Sequence, residues 1–414
     1  MMRAATLRRY GRLHTGVCAV AFVVTGCAGR AAPPTTPVKH VDMEGLRIVA
    51  RHDDQGRYEF ESYDAAELFE RGNRALDAGQ CAEAVAAYER IAAEFADSKY
   101  VSPALYNAGL CLAQKGERES ALQRFERVAQ AFPGTLDAKH AGFQAGHLEV
   151  DLQRFPQALA RADALLATDQ LDPAERMEAL SLRASALLGL GRLDDAEKQG
   201  KEALSFFRTR AEQLAADPYF AAQANYVLGD CLRLRAEAIT FPDTTQDEQK
   251  QLLVRRAQLL LDAMREYAST IQHTTTIRQT NPKWAAAAGY QIGAMYDRLW
   301  HDLMAAPVPA TLEPAARQYY PQELAKLIKP LLRHAIRYWE LTLMMAERTG
   351  AQGEWVEKTR ADLSRVRNLM LEQPPGPGGL PQLNGTQSGS GEGLAPGRAP
   401  SSGAGPKGAA PGDG

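Results

Sequence analysis

The residue best placed for covalent chemistry is Cys27. It closes the string Val24-Thr25-Gly26-Cys27, which follows one short apolar run, Val17 to Val24, and a cationic stretch carrying Arg3, Arg8, Arg9 and Arg12. Charged, apolar and small-residue segments in that order form an export signal with its cleavage site. The run is far shorter than the ~18 apolar residues that span a bilayer, and no later stretch is long and uncharged enough to replace it. A thiolate flanked by small residues fits a processing protease and is the nucleophilic form of cysteine. Elsewhere the reactive residue types are scattered. There is no GxSxG elbow, HExxH helix, Walker loop or Rossmann fingerprint, and no CxxC pair to suggest zinc or thiol exchange. His140 and His147 lie two turns apart on one helix face without a matching acidic or cysteine ligand, and read as solvated or partner-facing. His52-Asp53-Asp54 reads as turn chemistry. These patterns ask for no cofactor and no metal, and they point away from an enzyme.

Composition sets the scale of whatever positions these residues. A chain of 414 residues exceeds one ordinary core, so the expectation is two or three units or one extended array. An apolar fraction of 45% with 24% charged residues excludes a polytopic membrane protein and a wholly disordered chain. Forty-eight basic against 50 acidic side chains give −2, which offers no basic field to nucleic acid. Cleavage before Cys27 removes four arginines and no acid, leaving a mildly acidic mature chain.

Val24-Thr25-Gly26-Cys27 resembles a bacterial lipobox. The resemblance implies that the Cys27 thiol is diacylated, the signal is cut before it, and the new amino group is acylated. Several acyl chains make a durable anchor where one is marginal. In similar lipoproteins Asp after the lipidated cysteine retains the protein in the inner membrane. Here that residue is Ala28, which implies the periplasmic face of the outer membrane.

The body repeats with a period of about 34–38 residues. One unit reads Leu68, Gly72, Ala75, then Ala84, Tyr88 and Ile91; the next reads Leu105, Gly109, Leu112, then Ala121, Phe125, Val128 and Pro133. In each, a small residue is followed twelve positions later by another, and four after that by a large one. Small residues let two helices cross closely while the aromatic fills the space between them, and Gly79-Gln80 and Lys115-Gly116 supply the turns. The pattern resembles the tetratricopeptide repeat, whose signature Gly109, Ala121, Phe125 and Pro133 match. Gly146, Ala158 and Leu165 mark a third, more degenerate copy; Ala184, Ala196 and Ala203, with Gly191 at the turn, mark a fourth. Leu228-Gly229 with Leu232, and Ile292-Gly293 with Tyr296, read as first helices whose second helices are displaced by insertions. Residues 250–272 and 323–349 supply long amphipathic helices.

The resemblance implies an all-α chain of αα-hairpins in a right-handed superhelix. The layout is then a signal over 1–26, a lipidated tether and β-hairpin over 27–61, four repeats over 62–215, a degenerate helical region over 216–371, and a Gly/Pro-rich tail over 372–414. The hairpin is read from Leu46, Ile48, Tyr58 and Phe60 alternating around Asp54-Gln55-Gly56. The tail is too poor in apolar residues to fold. Cys18 leaves with the signal, so Cys81, Cys111 and Cys231 enter an oxidising compartment. Cys81 and Cys111 lie in neighbouring repeats, where a disulfide and a pair of buried thiols are both open.

In tetratricopeptide superhelices the first helix of each pair lines the concave side, and the position three before the glycine site points into it. Here that position is Phe69, Tyr106 and Phe143, at steps of 37 residues. These aromatics either form a partner-binding ladder or close the seams between repeats. Asn73 and Asn107 match the asparagines of carboxylate-clamp repeats, but Phe69, His140 and Gln144 stand where the clamp's basic residues belong. The partner-binding set is therefore Phe69, Asn73, Tyr106, Asn107, Phe143 and His147. On the last long helix Leu324, Ile328, Leu331, Ala335 and Trp339 form an apolar face. Lys326, Lys329, Arg333 and Arg337 form a basic stripe, either a solvated face or an anionic partner's contact. Pro330 should kink this helix or mark its start. The resemblance implies a lipid-anchored scaffold that binds envelope proteins in its groove. It is similar to lipoproteins of β-barrel assembly, pilus assembly, peptidoglycan synthesis and gliding motility; the quoted motifs do not choose among them, and the large aromatic C-terminal half and long tail point towards gliding motility. A periplasmic enzyme or peptidoglycan binder is the rival class.

Overall fold

The structure is a computed structural model, and it describes residues 45–52, 57–169, 171–214, 217–275, 282–309 and 312–372. Cys27 with its signal, the tether, the turn Asp54-Gln55-Gly56 and the Gly/Pro-rich tail lie outside the described residues. Two strands, β1 (Arg47–His52) and β2 (Tyr58–Tyr63), pair antiparallel with Ala50 opposite Phe60 and Arg47 opposite Tyr63. All other regular elements among the described residues are helices.

Four hairpins of similar size follow: α1 (Ala65–Asp77) with α2 (Cys81–Glu94), α3 (Val101–Gln114) with α4 (Arg118–Ala131), α5 (Leu136–Asp151) with α6 (Phe155–Leu166), and α7 (Pro173–Gly189) with α8 (Leu193–Thr209). Starts and stops follow local chemistry. The Asp64 carboxylate accepts from the Glu67 amide at the head of α1. Asp172 and Glu175 form a reciprocal capping box at the head of α7, where Pro173 fits a position that needs no amide donor. The turns within three of the hairpins place Gly79, Gly116 and Gly191 in the left-handed region, at φ of 71°, 82° and 71°. Gln153 takes that place in the third hairpin, at φ 59°.

After a one-turn α9 (Ala211–Leu214), the hairpins lengthen. α10 (Tyr219–Glu237) pairs with the 30-residue α11 (Gln246–Thr275), α12 (Lys283–Ala305) with the 36-residue α13 (Pro314–Thr349), and α14 (Glu354–Glu372) closes the described series. Both long helices outrun the expected 250–272 and 323–349. Pro330 does not start α13: it sits inside the helix, as does Pro321, and both are exposed.

The core is built from crossings of a glycine with a large side chain. A Cβ on Gly109 would come within 2.8 Å of the Phe125 ring, and one on Gly72 would collide with Tyr88. Phe125 and Tyr88 are fully buried. Ala121 and Ala84, also fully buried, let the paired helices approach. Cys81 and Cys111 are joined as a disulfide between α2 and α3, with their Cα atoms 5.6 Å apart. Cys231 is a buried free thiol whose pKa is pushed up to about 12 by burial.

Candidate functional site

Each first helix touches the first helix of the next hairpin, so α1, α3, α5, α7, α10, α12 and α14 form one continuous layer. The candidate residues sit on this layer. Phe69 is partly exposed, with its ring 5.2 Å from Tyr100 and 5.8 Å from Tyr88. Tyr106 is also partly exposed; its ring lies 5.5 Å from Phe125 and 6.4 Å from His140. Phe143 departs from the expected ladder. It is only 3% exposed and packs with Ala162, Leu165, Ala179 and Leu182. The reason is steric: α6 and α7 bring small side chains to that crossing, and the space they leave takes the ring. Phe143 therefore closes a seam between repeats, while Phe69 and Tyr106 remain accessible.

The two asparagines converge on one group. The Tyr88 hydroxyl donates to Asn73 Oδ1 at 2.8 Å, and the Asn107 side chain hydrogen-bonds to the same hydroxyl. Burial pushes the Tyr88 pKa up to about 12, so it stays a neutral donor. Committed to the Tyr88 hydroxyl, these asparagines brace a core tyrosine rather than present a carboxylate clamp.

The histidines pair with the next first helix. His147 Nε2 lies 2.8 Å from Glu178 Oε1, and its ring stacks on Phe220 at 5.8 Å. His140 Nε2 is 3.8 Å from Glu175 Oε1, a carboxylate also held by Lys139 at 2.7 Å. No group of three or more His, Cys, Asp or Glu among the described residues could hold a metal ion.

From Phe220 the layer carries an aromatic series that includes two of the four C-terminal tryptophans, Trp284 and Trp355, packed against the core around Tyr226. Phe220 meets Tyr219 at 5.0 Å, Tyr219 meets Trp284 at 6.2 Å, and Trp284 meets Tyr226 at 5.1 Å. Tyr226 meets Trp355 at 6.3 Å, and Trp355 meets Tyr290 at 5.4 Å. Lys283 and Lys358 cap it, their ammonium groups 5.3 Å from the Trp284 ring and 4.7 Å from the Trp355 ring. The available signal was position: Tyr219, Trp284 and Trp355 each lie at the first or second residue of a first helix.

One ion pair ties distant repeats together. Lys283 Nζ at the start of α12 lies 3.7 Å from Asp151 Oδ1 at the end of α5. Burial alone would depress the Lys283 pKa, but Tyr219 and Asp151 outweigh it and the net shift is upward. The Arg118 guanidinium at the start of α4 acts electrostatically on Lys283 and on Glu354 at the head of α14. The turns within hairpins two and three therefore face the starts of α12 and α14.

The basic stripe lies away from these contacts. Lys326 pairs with Glu323 at 2.7 Å; Lys326, Arg333 and Arg337 are exposed and Lys329 partly so. The apolar face of the same helix is engaged, with Ile328, Leu331, Ala335 and Trp339 packed in one cluster.

A family model described as tetratricopeptide repeat matches residues 69–134 and 143–213. No protein of curated function matches the chain. Among solved structures, MamA 41-end from Desulfovibrio magneticus RS-1 is 20% identical, over 50% of this chain and 97% of its own, at a TM-score of 0.35. A tetratricopeptide repeat protein from Parabacteroides merdae is 15% identical, over 73% of this chain and 99% of its own, at 0.38. Residues 69–134 and 143–213 are thus tetratricopeptide repeats, on which Phe69, Tyr106 and His147 are carried.

Proposed function

We propose that this chain is a lipid-anchored periplasmic scaffold whose first helices hold a segment of another envelope protein. The observation that carries the reading is the run of partly exposed aromatics on the first-helix layer, from Phe69 and Tyr106 on α1 and α3 to Phe220, Trp284 and Tyr290, with Tyr226 buried in the core beneath the later ones. Aromatic side chains give large contact area at small entropic cost, which is what binding hot spots require. The Glu178, Lys283 and Lys358 side chains along it supply charges of both signs, suited to an extended or helical segment rather than to nucleic acid. The anchor rests on the lipobox-like string ending at Cys27, and Ala28 supports the outer membrane as its location. Among envelope complexes, the large aromatic C-terminal half and long tail favour gliding motility, with β-barrel assembly and peptidoglycan synthesis as the alternatives.

The test is a pull-down from envelope extract with the wild-type chain and Tyr106→Ala. A hot-spot role predicts binding weaker by about 2 kcal/mol, roughly thirtyfold, with helicity intact. Unchanged partner affinity in a destabilised variant would make Tyr106 a seam residue like Phe143. For the anchor, Cys27→Ser should move the chain from the membrane fraction to the soluble periplasm or leave it unprocessed. Normal acylation of that variant sinks the anchor.

A further inference from the structure

The β-hairpin has two unlike faces. One is engaged: Val49 packs on the first core, Tyr63 is 7% exposed, and its hydroxyl donates to Glu94 Oε2 at 2.6 Å. The other carries Leu46, Ile48, Tyr58 and Phe60, which are 62%, 66%, 64% and 73% exposed. Alternation places Ile48, Ala50, Tyr58 and Phe60 on one side, and the Tyr58 and Phe60 rings stack at 6.4 Å. A two-stranded sheet presenting two aromatics and two aliphatics to water is a surface made to be covered.

Three occupants can be weighed. The flanking segments are poor candidates: residues 28–44 hold only Val38, Val41 and Met43 as large apolar residues, and residues 373–414 only Leu380, Leu383 and Leu394. A second copy is disfavoured by area, because four such side chains offer about 500–600 Å² against the ~800 Å² per partner of a stable interface. A phospholipid surface needs less, because a tether raises the local concentration of what it holds. Gly45 lies 18 residues after Cys27, a separation that the chain can span up to about 60 Å.

We infer that the face formed by Leu46, Ile48, Tyr58 and Phe60 is a second membrane contact, seated at the headgroup boundary beside the lipid on Cys27. The inference rests on the anchoring proposed above. Both strand edges carry backbone groups that need water or headgroups as partners, so only the side chains enter the acyl region. The hairpin thereby sets which end of the repeat array faces the membrane, through the contacts of Tyr63 with Glu94 and Arg90 of α2 and with Phe95.

The test uses the mature chain, residues 27–414, with one tetradecyl group coupled to Cys27 through a maleimide. The coupling is selective because Cys81 and Cys111 are bonded and the Cys231 thiol is buried. A single acyl chain binds reversibly, so flotation with phosphatidylethanolamine/phosphatidylglycerol vesicles reads what the hairpin adds. The Ile48→Ser/Phe60→Ser double variant should partition at least tenfold less than wild type, Phe60→Trp should partition as well as wild type, and 0.5 M salt should change neither. Equal partition of wild type and the double variant overturns the inference. So does a wild-type chain that sediments as a dimer which the double variant dissolves, since the face is then taken by a second copy. Mass measurement of the chain from cell membranes separates the two readings. An unacylated Cys27 with a binding hairpin fails the anchor, and an acylated Cys27 with an inert hairpin fails this inference.

Discussion

The first two hairpins, α1–α4, and the two long ones, α10–α13, use one lock at different spacings. In α1/α2 and α3/α4 a glycine meets an aromatic sixteen residues later, Gly72 with Tyr88 and Gly109 with Phe125. In α10/α11 the Gly229 Cβ position lies 2.7 Å from Tyr267, and in α12/α13 the Gly293 position is filled by Trp339. The partners there are 38 and 46 residues apart. Tyr267 and Trp339 are as fully buried as Tyr88 and Phe125. The lesson is that the crossing is preserved while the path between its partners is free. A repeat defined by fixed spacing stops at residue 213, whereas the packing that defines the repeat physically continues through α13.

The strongest way to break this equivalence is to remove the large partner in each half. Phe125→Ala and Trp339→Ala should each cost about 3–5 kcal/mol, read from denaturant midpoints. A loss below about 1 kcal/mol at Trp339 would mean that the second half is held by something else. The halves differ next in covalent support, since the first carries the Cys81–Cys111 bond and the second only a free thiol. Reduction should destabilise the chain by about 2–4 kcal/mol. Hydrogen exchange should rise in α2 and α3 and stay level in α12 and α13; uniform acceleration would show the halves to be one cooperative unit. Overpacking probes the close approach itself. Ala121→Leu should cost about 1–3 kcal/mol, and an unchanged melting temperature would move the helix crossing elsewhere. The smallest effect is expected where the halves touch: Asp151→Asn should cost no more than about 1 kcal/mol, because both partners of the Lys283 pair are partly exposed. A larger loss would make this contact a keystone.

Legibility followed the same division. Gly109, Ala121 and Phe125 could be read as a hairpin because their spacing is a consequence of helix geometry and a short turn. Gly229 and Gly293 were recognisable as first-helix positions from their neighbours Leu228, Leu232, Ile292 and Tyr296. Their partners were not, because helix periodicity in α11 and α13 offers several buried positions and no rule of distance selects Tyr267 or Trp339. Phe143 shows a second limit. It shares the 37-residue step of Phe69 and Tyr106, yet Ala162 and Ala179 across the crossing decide that its ring turns inward, and those residues belong to other helices. Pro330 shows a third: its place on the exposed side of α13 let the helix run on through it.

The added length of the later hairpins lies mostly in the second helices. α10 and α12 hold 19 and 23 residues, while α11 and α13 hold 30 and 36. At 1.5 Å per residue α13 is a rod of about 54 Å, packed against its neighbours from Ile328 onward, so that roughly its first 21 Å, from Pro314, carries no buried residue. A rod held along part of its length is a lever. A turn of about 10° in the packed part would swing Pro314 through roughly 4 Å. A ligand that settles between the first helices need move them by only a fraction of that to announce itself on the far side of the molecule.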